Sequence, residues 1–190
     1  MIRNPSCDLC ALSTGDVKHI CMEGRWVGGE SDVIVLGQSP GQQEDNSGMP
    51  FVGPSGELLK DALKGLDHYY LTNTVKCFVP AGKVMDPLWA KACRIYWLAE
   101  VEAIKPRWIL ALGNESVQAT LGRRNVTSIA GKIFHSDTLN AEVFVTLHPA
   151  AILRDRGREA GWRLDLASFV RHVKGTNSAT PPVTWRLVVA

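Results

Sequence analysis

No run of about eighteen or more apolar residues occurs in the 190-residue chain, so nothing in it reads as a membrane-crossing helix. The opening stretch Met1-Ile2-Arg3-Asn4-Pro5-Ser6-Cys7 lacks the apolar segment of a secretory signal, which makes the cytoplasm the expected setting. Internal repeats and low-complexity tracts are also missing, and with 45% hydrophobic residues the length suits one compact domain. An excess of charge of one sign is absent too: 21 Lys plus Arg oppose 19 Asp plus Glu, a net charge of +2. The whole-molecule field therefore does not draw in a polyanion, and any nucleic-acid face has to be local. The richest basic stretch runs from Arg154 to Lys174, diluted by Asp155, Glu159 and Asp165, and reads equally well as a solvated helix face. Cysteine is scarce and odd in number. Five thiols in a chain expected to stay in a reducing compartment argue against a disulfide framework and for metal binding, with one cysteine left over.

Four short Val/Ile/Leu-rich runs read as buried strands: Asp32 to Gly37, Tyr69 to Val75, Arg107 to Gly113 and Glu142 to His148. Helical periodicity fills Ser55 to Leu66, Pro87 to Ile104, Asn114 to Leu121 and Arg158 to Val173. Ser55 is the expected cap of the first of these helices, and Asp86-Pro87 supplies a cap and a first-turn proline for the second. Strands alternating with helices predict an α/β fold: a three-layer α/β/α sandwich around a central, mainly parallel four-stranded sheet. Residues 1–174 form the expected single domain. The linker-like Gly175 to Pro182 opens a tail over 175–190, whose Val183 to Ala190 end is a candidate edge strand or loose segment.

Ligand sites in such sheets lie at the carboxyl ends of the strands, where every unusual polar cluster of this chain falls. The first is Gly37-Gln38-Ser39-Pro40-Gly41-Gln42-Gln43-Glu44-Asp45, continuing to Gly48-Met49-Pro50-Phe51-Val52-Gly53-Pro54-Ser55-Gly56. Its glycines and prolines build a rigid turn that lets backbone and Phe51 approach a planar ligand closely. The second runs from Asn73 to Cys77, and the third is His148-Pro149-Ala150. Cys7 and Cys10 form a C-x2-C pair, while Cys77 and Cys93 follow the second strand and ride the next helix. Four thiolates suit zinc or an iron-sulfur cluster, and spacing leaves both open. Cys21, between Ile20 and Met22, is the outsider, as a packing residue or a substitute ligand.

Over nearly its whole length the chain resembles the iron-sulfur uracil-DNA glycosylases, family 4 of the uracil-DNA glycosylase superfamily. The resemblance is carried by the long first loop, by Leu71-Thr72-Asn73-Thr74-Val75-Lys76-Cys77 and by His148-Pro149-Ala150-Ala151-Ile152-Leu153-Arg154. It implies excision of uracil or another modified pyrimidine from DNA, leaving an abasic site, by a monomer that flips the nucleotide out of the stack. Phe51 would stack on the base, Asn73 would read its edge, Gln38 and Ser39 would border it, and His148 would stabilise the departing base. Ile152, Leu153 and Arg154 would wedge into the duplex and meet phosphate. Cys7, Cys10, Cys77 and Cys93 would hold a 4Fe-4S cluster of structural role.

Two departures matter. The family pattern places a carboxylate at Gln38, and an amide orients water without acting as a base. Gln38, His148 and Asp45 are therefore the catalytic candidates. Ala150 stands where serine is common, removing a hydroxyl for phosphate. The alternatives are a base-binding or abasic-site-binding protein that cuts weakly or not at all, and an iron-sulfur protein with no DNA role. A covalent variant of the family uses a histidine between the third and fourth cysteines, and Phe78 to Ala92 contains none. The expected setting is a bacterial or phage-infected cell, in repair or in attack on foreign DNA.

Overall fold

The structure is a computed structural model that describes residues 4–80 and 82–175. The expected tail over 175–190 lies, beyond Gly175, outside the described residues.

Among the described residues six strands form one sheet in the order β1-β3-β2-β4-β6-β5. The four strands expected from the sequence are its inner, parallel members: β2 (Val33–Gly37), β3 (Tyr69–Asn73), β4 (Trp108–Leu112) and β6 (Ala141–Thr146). The expected four-stranded sheet is thus two strands short. β1 (Arg25–Val27) and β5 (Ile133–Ser136) add antiparallel edges beside β3 and β6.

The inner strands are buried on both faces, as continuous apolar runs require. Alternation sends Val33, Val35, Leu71, Trp108, Leu110 and Phe144 to one face. There they meet α2 (Pro54–Ala62) and α7 (Glu159–Gly175) through Leu59, Leu63, Trp162, Leu166 and Phe169. Ile34, Leu36, Ile109, Val143 and Val145 face the other way, toward α3 (Pro87–Ile104) and α4 (Gly113–Leu121), whose Trp97, Val101 and Val117 complete the second layer. The short α5 (Val126–Ile129) closes that layer through Val126. These two cores give the three-layer sandwich.

The Asp86 carboxylate accepts from the Leu88 N–H at 2.8 Å and starts α3, as expected. At α2 the expectation shifts: the helix begins at Pro54 with Gly53 as its cap, so Ser55 lies inside the first turn. Proline at the first helical position is already preorganised and lacks the N–H that a serine cap would have satisfied.

A buried polar staple joins β3 to α3. Lys76 donates to Glu100 Oε2 at 2.6 Å, Thr72 donates to the same oxygen at 2.7 Å, and Tyr70 and the Gly24 N–H donate to Oε1 at 3.3 and 3.2 Å. The side chains of Lys76 and Glu100 are only 2% and 7% exposed, so each charge depends on the other for solvation.

Candidate functional site

Register brings the first two polar clusters together. Gly37, the last residue of β2, pairs with Asn73, the last of β3. Asn73 shares the parity of Leu71, so its side chain lies on the α2 side of the sheet. A Cβ on Gly37 would stand 2.5 Å from Asn73 Oδ1 and 2.6 Å from Phe51 Cζ, which measures how closely ring and amide approach here. Beyond β6, His148 caps the short α6 (Pro149–Arg154). The resulting cleft of about 360 Å³ is lined by Gln38, Ser39, Phe51, Asn73, His148 and Arg154, with the Gly41, Ser55 and Gly56 turns at its edge.

Three details bear on what the cleft can bind. Asn73 is buried, and among the described residues its Oδ1 has no hydrogen-bond partner, an arrangement that costs free energy unless a ligand donates to it. Phe51 sits at φ 56°, a strained region for an aromatic residue, and is packed at 5% exposure. His148 Nδ1 accepts from the Ala150 N–H at 3.1 Å, which leaves the ring proton on Nε2. Burial, aided by the positive Arg154, pulls the His148 pKa down to about 4, so the imidazole is neutral at physiological pH.

Glu44, an acid of the first polar cluster, organises the loop. From α1 (Gln42–Ser47) its carboxylate accepts from the Gly41 N–H at 3.1 Å, and from the Val52 and Gly53 N–H groups at 2.9 and 2.7 Å. One side chain thereby clamps the stretch after β2 to the stretch that carries Phe51. The sequence signal was the capping spacing, Gly41 with Glu three residues on.

Two expected site residues lie elsewhere. Asp45 is buried outside the cleft, its carboxylate accepting from the Lys18 and His19 N–H groups at 3.0 to 3.1 Å. It ties the cysteine-bearing N-terminal segment to α1. Ile152 is fully buried in the α2/α7 core, so it anchors α6 and is not available as a wedge. On the same helix Leu153 is half-buried and Arg154 exposed at the cleft. Further along, Arg156, Arg158 and Arg163 are held by Glu159, Asp155 and Asp61 at 2.7 to 2.9 Å, the solvated-face reading of the basic stretch.

The five cysteines occupy one neighbourhood in two groups, and no disulfide joins any of them. Cys10, Cys77 and Cys93 pack around Leu12 and Val75, whereas Cys7 packs with Cys21 and Tyr96. Burial pushes the Cys77 thiol up to about 11 and the Cys93 thiol up to about 12. Among the described residues no three His, Cys, Asp or Glu side chains form a group that holds a single metal ion.

Comparison with known proteins points the same way as the cleft. Residues 26–168 match the family model of the Uracil DNA glycosylase superfamily. The chain is 34% identical over 180 residues to the type-4 uracil-DNA glycosylase of Pyrobaculum aerophilum, covering 89% of both proteins. It is 31% identical over 162 residues to the type-4 enzyme of Thermotoga maritima, covering 83% of both. With that of Archaeoglobus fulgidus it shares 30% identity over 158 residues, 77% of this chain and 76% of the relative.

Proposed function

The chain belongs to the uracil-DNA glycosylase superfamily, among its type-4 enzymes, and is a DNA glycosylase; from that premise we propose that it excises uracil turned out of DNA into the cleft between Phe51, Asn73 and His148. The observation that carries this assignment is the buried, unpartnered Asn73 Oδ1 beside the Phe51 ring. An imide presents an N–H flanked by a carbonyl. Asn73 Oδ1 accepts from the N–H while its amide nitrogen donates to the carbonyl. Stacking on Phe51 contributes about 1 to 3 kcal/mol, which offsets part of the few kcal/mol of unstacking that flipping costs.

Breaking the glycosidic bond leaves negative charge on the departing base. His148 meets it as a neutral donor through Nε2, its other nitrogen being engaged by the Ala150 N–H. Gln38, from the loop after β2, orients the attacking water but takes no proton from it, so sugar-base cleavage runs ahead of water attack. Arg154, exposed at the rim, meets a DNA phosphate beside the flipped nucleotide, with Leu153 next to it against the duplex. The enzyme acts as a monomer, and a modified pyrimidine with the same imide edge is a further candidate substrate.

The donor set of Cys7, Cys10, Cys77 and Cys93 fits a 4Fe-4S cluster: four soft sulfur donors from the N-terminal segment, the loop after β3 and helix α3. A cube that fills the space between its ligands also accepts a wider sulfur set than one tetrahedral ion with bonds of about 2.3 Å. Bound there, the group supplies a structural cross-link behind Asn73.

The test is release of free base from single- and double-stranded oligonucleotides carrying uracil or modified pyrimidines, with Gln38→Glu and Asn73→Ala alongside. Uracil release by the native chain, lost in Asn73→Ala, is expected. No release of any base, even with tight binding, overturns the excision reading and returns the non-cutting one.

A further inference from the structure

The cysteines do not divide as four ligands and one bystander. Cys10, Cys77 and Cys93 share one packed group, and the remaining corner of the set holds two thiols, Cys7 and Cys21, side by side under Tyr96. We propose that Cys7 and Cys21 are alternative ligands for the same corner of the metal centre, an inference that rests on the cluster reading above.

Cys21 is held toward the centre by its backbone. Its own N–H donates to Cys77 Sγ at 3.4 Å, and the next N–H, that of Met22, donates to the Lys76 carbonyl at 2.8 Å. These two bonds lock the 21–22 segment along 76–77. They hold Cys21 at φ 48°, a left-handed conformation that a residue with a side chain keeps only where its surroundings dictate it. An amide that donates to a ligand sulfur already places Cys21 in direct contact with the donor set. Its side chain is 1% exposed and Cys7 is 7% exposed, so neither thiol is turned out to solvent. Cys7 comes from a turn near the start of the described chain, tied locally by its N–H to the Asn4 carbonyl at 3.0 Å, whereas Cys21 is anchored to the sheet end.

The exchange balances without an oxidant. One iron-sulfur bond to Cys7 breaks as one to Cys21 forms, the proton leaving the Cys21 thiol passes to the Cys7 thiolate, and no electron moves.

Iron content, visible absorbance near 400 nm and cluster loss to a chelator test this on the anaerobically reconstituted full-length protein and on C7S, C21S, C7S/C21S and C77S. Native protein is expected to hold about four irons per chain; native protein without iron overturns the cluster reading itself and is distinct from every other result. With the cluster present, C7S is expected to keep most of its iron, C7S/C21S to lose it as C77S does, and C21S to surrender its cluster to chelator several-fold faster than native. A folded C7S that is as iron-poor as C77S overturns the proposal. Should C7S not fold, the C21S rate decides alone: faster loss supports the reserve ligand, and an unchanged rate overturns it.

Discussion

Gly37 is where a single hydrogen separates a working pocket from a blocked one. A methyl group there would stand 2.5 Å from Asn73 Oδ1 and 2.6 Å from the Phe51 ring, so one of the two must move. Gly37→Ala is expected to retain its far-UV circular dichroism while losing on the order of a hundredfold in uracil excision, since misplacement by about an ångström costs that much. His148 sets a pH limit of a different kind. Folding favours its neutral form by lowering its pKa from the ordinary 6.5 to about 4. The stability so gained is complete above 6.5 and is lost as the pH falls from there through about 4, because the unfolded chain takes up a proton that the folded chain refuses. Native protein should therefore lose more melting temperature between pH 7 and pH 4 than His148→Gln does. Excision by the neutral donor should persist below pH 6 and fall as the pH approaches 4, readable in a pH-rate profile.

At the scale of elements, short range and long range play different parts. The six-residue α1 has little helical pattern of its own, and the Glu44 carboxylate closes its first turn and reaches the Val52 and Gly53 N–H groups that follow Phe51. Glu44→Ala should cost about 2 to 4 kcal/mol in denaturant titration, as loss of several hydrogen bonds to one charged acceptor does. Excision should fall further than stability alone explains. Between β3 and α3 the Lys76 and Glu100 pair makes a double-mutant test. Either Lys76→Met or Glu100→Gln alone strands a buried charge or its desolvated partner, at about 3 to 5 kcal/mol. The joint Lys76→Met/Glu100→Gln change should cost clearly less than the two losses added together in the same titration, since no charge is then left alone and the amide oxygen still accepts from the Thr72, Tyr70 and Gly24 donors.

For the molecule as a whole, the cysteine-bearing segment over residues 4–22 contains no helix or strand. It is joined to the sandwich by the Asp45 bonds to Lys18 and His19, by the Met22 bond to Lys76 and by the thiols. If the proposed cluster is bound, its chelation should raise amide hydrogen exchange in residues 4–22 and the start of α3, leaving β2, β4 and β6 protected. Exchange rising uniformly across the sheet would instead make the cluster a determinant of the whole fold. The net charge of +2 leaves attraction for DNA to local contacts. Arg154→Ala should weaken binding to all sequences alike and reduce the salt slope by about one.

Four parallel strands and four main helices were legible in the linear pattern, while the family resemblance pointed to Phe51, Asn73 and His148, which line one cleft. Apolar runs buried on both faces have few alternatives, and Gly-Pro loops at strand ends mark where backbone must come close. Edge strands β1 and β5 were not legible, because three or four residues of mixed polarity become strands only when a neighbour offers its hydrogen bonds. The same limit explains Ile152, whose apolar side chain suits a wedge or a core equally until α6 is docked on α2 and α7. Asp45 and Glu44 are adjacent acids of equal chemistry, and only the path of the loop decided that Glu44 faces the cleft while Asp45 turns to the cysteine segment. Residue types and their local order thus determined which chemistry this protein carries, since propensity and turn geometry act over a few residues. Which of two equivalent side chains performs it was decided by tertiary packing, since contacts such as Lys76 to Glu100 join residues that no local rule relates.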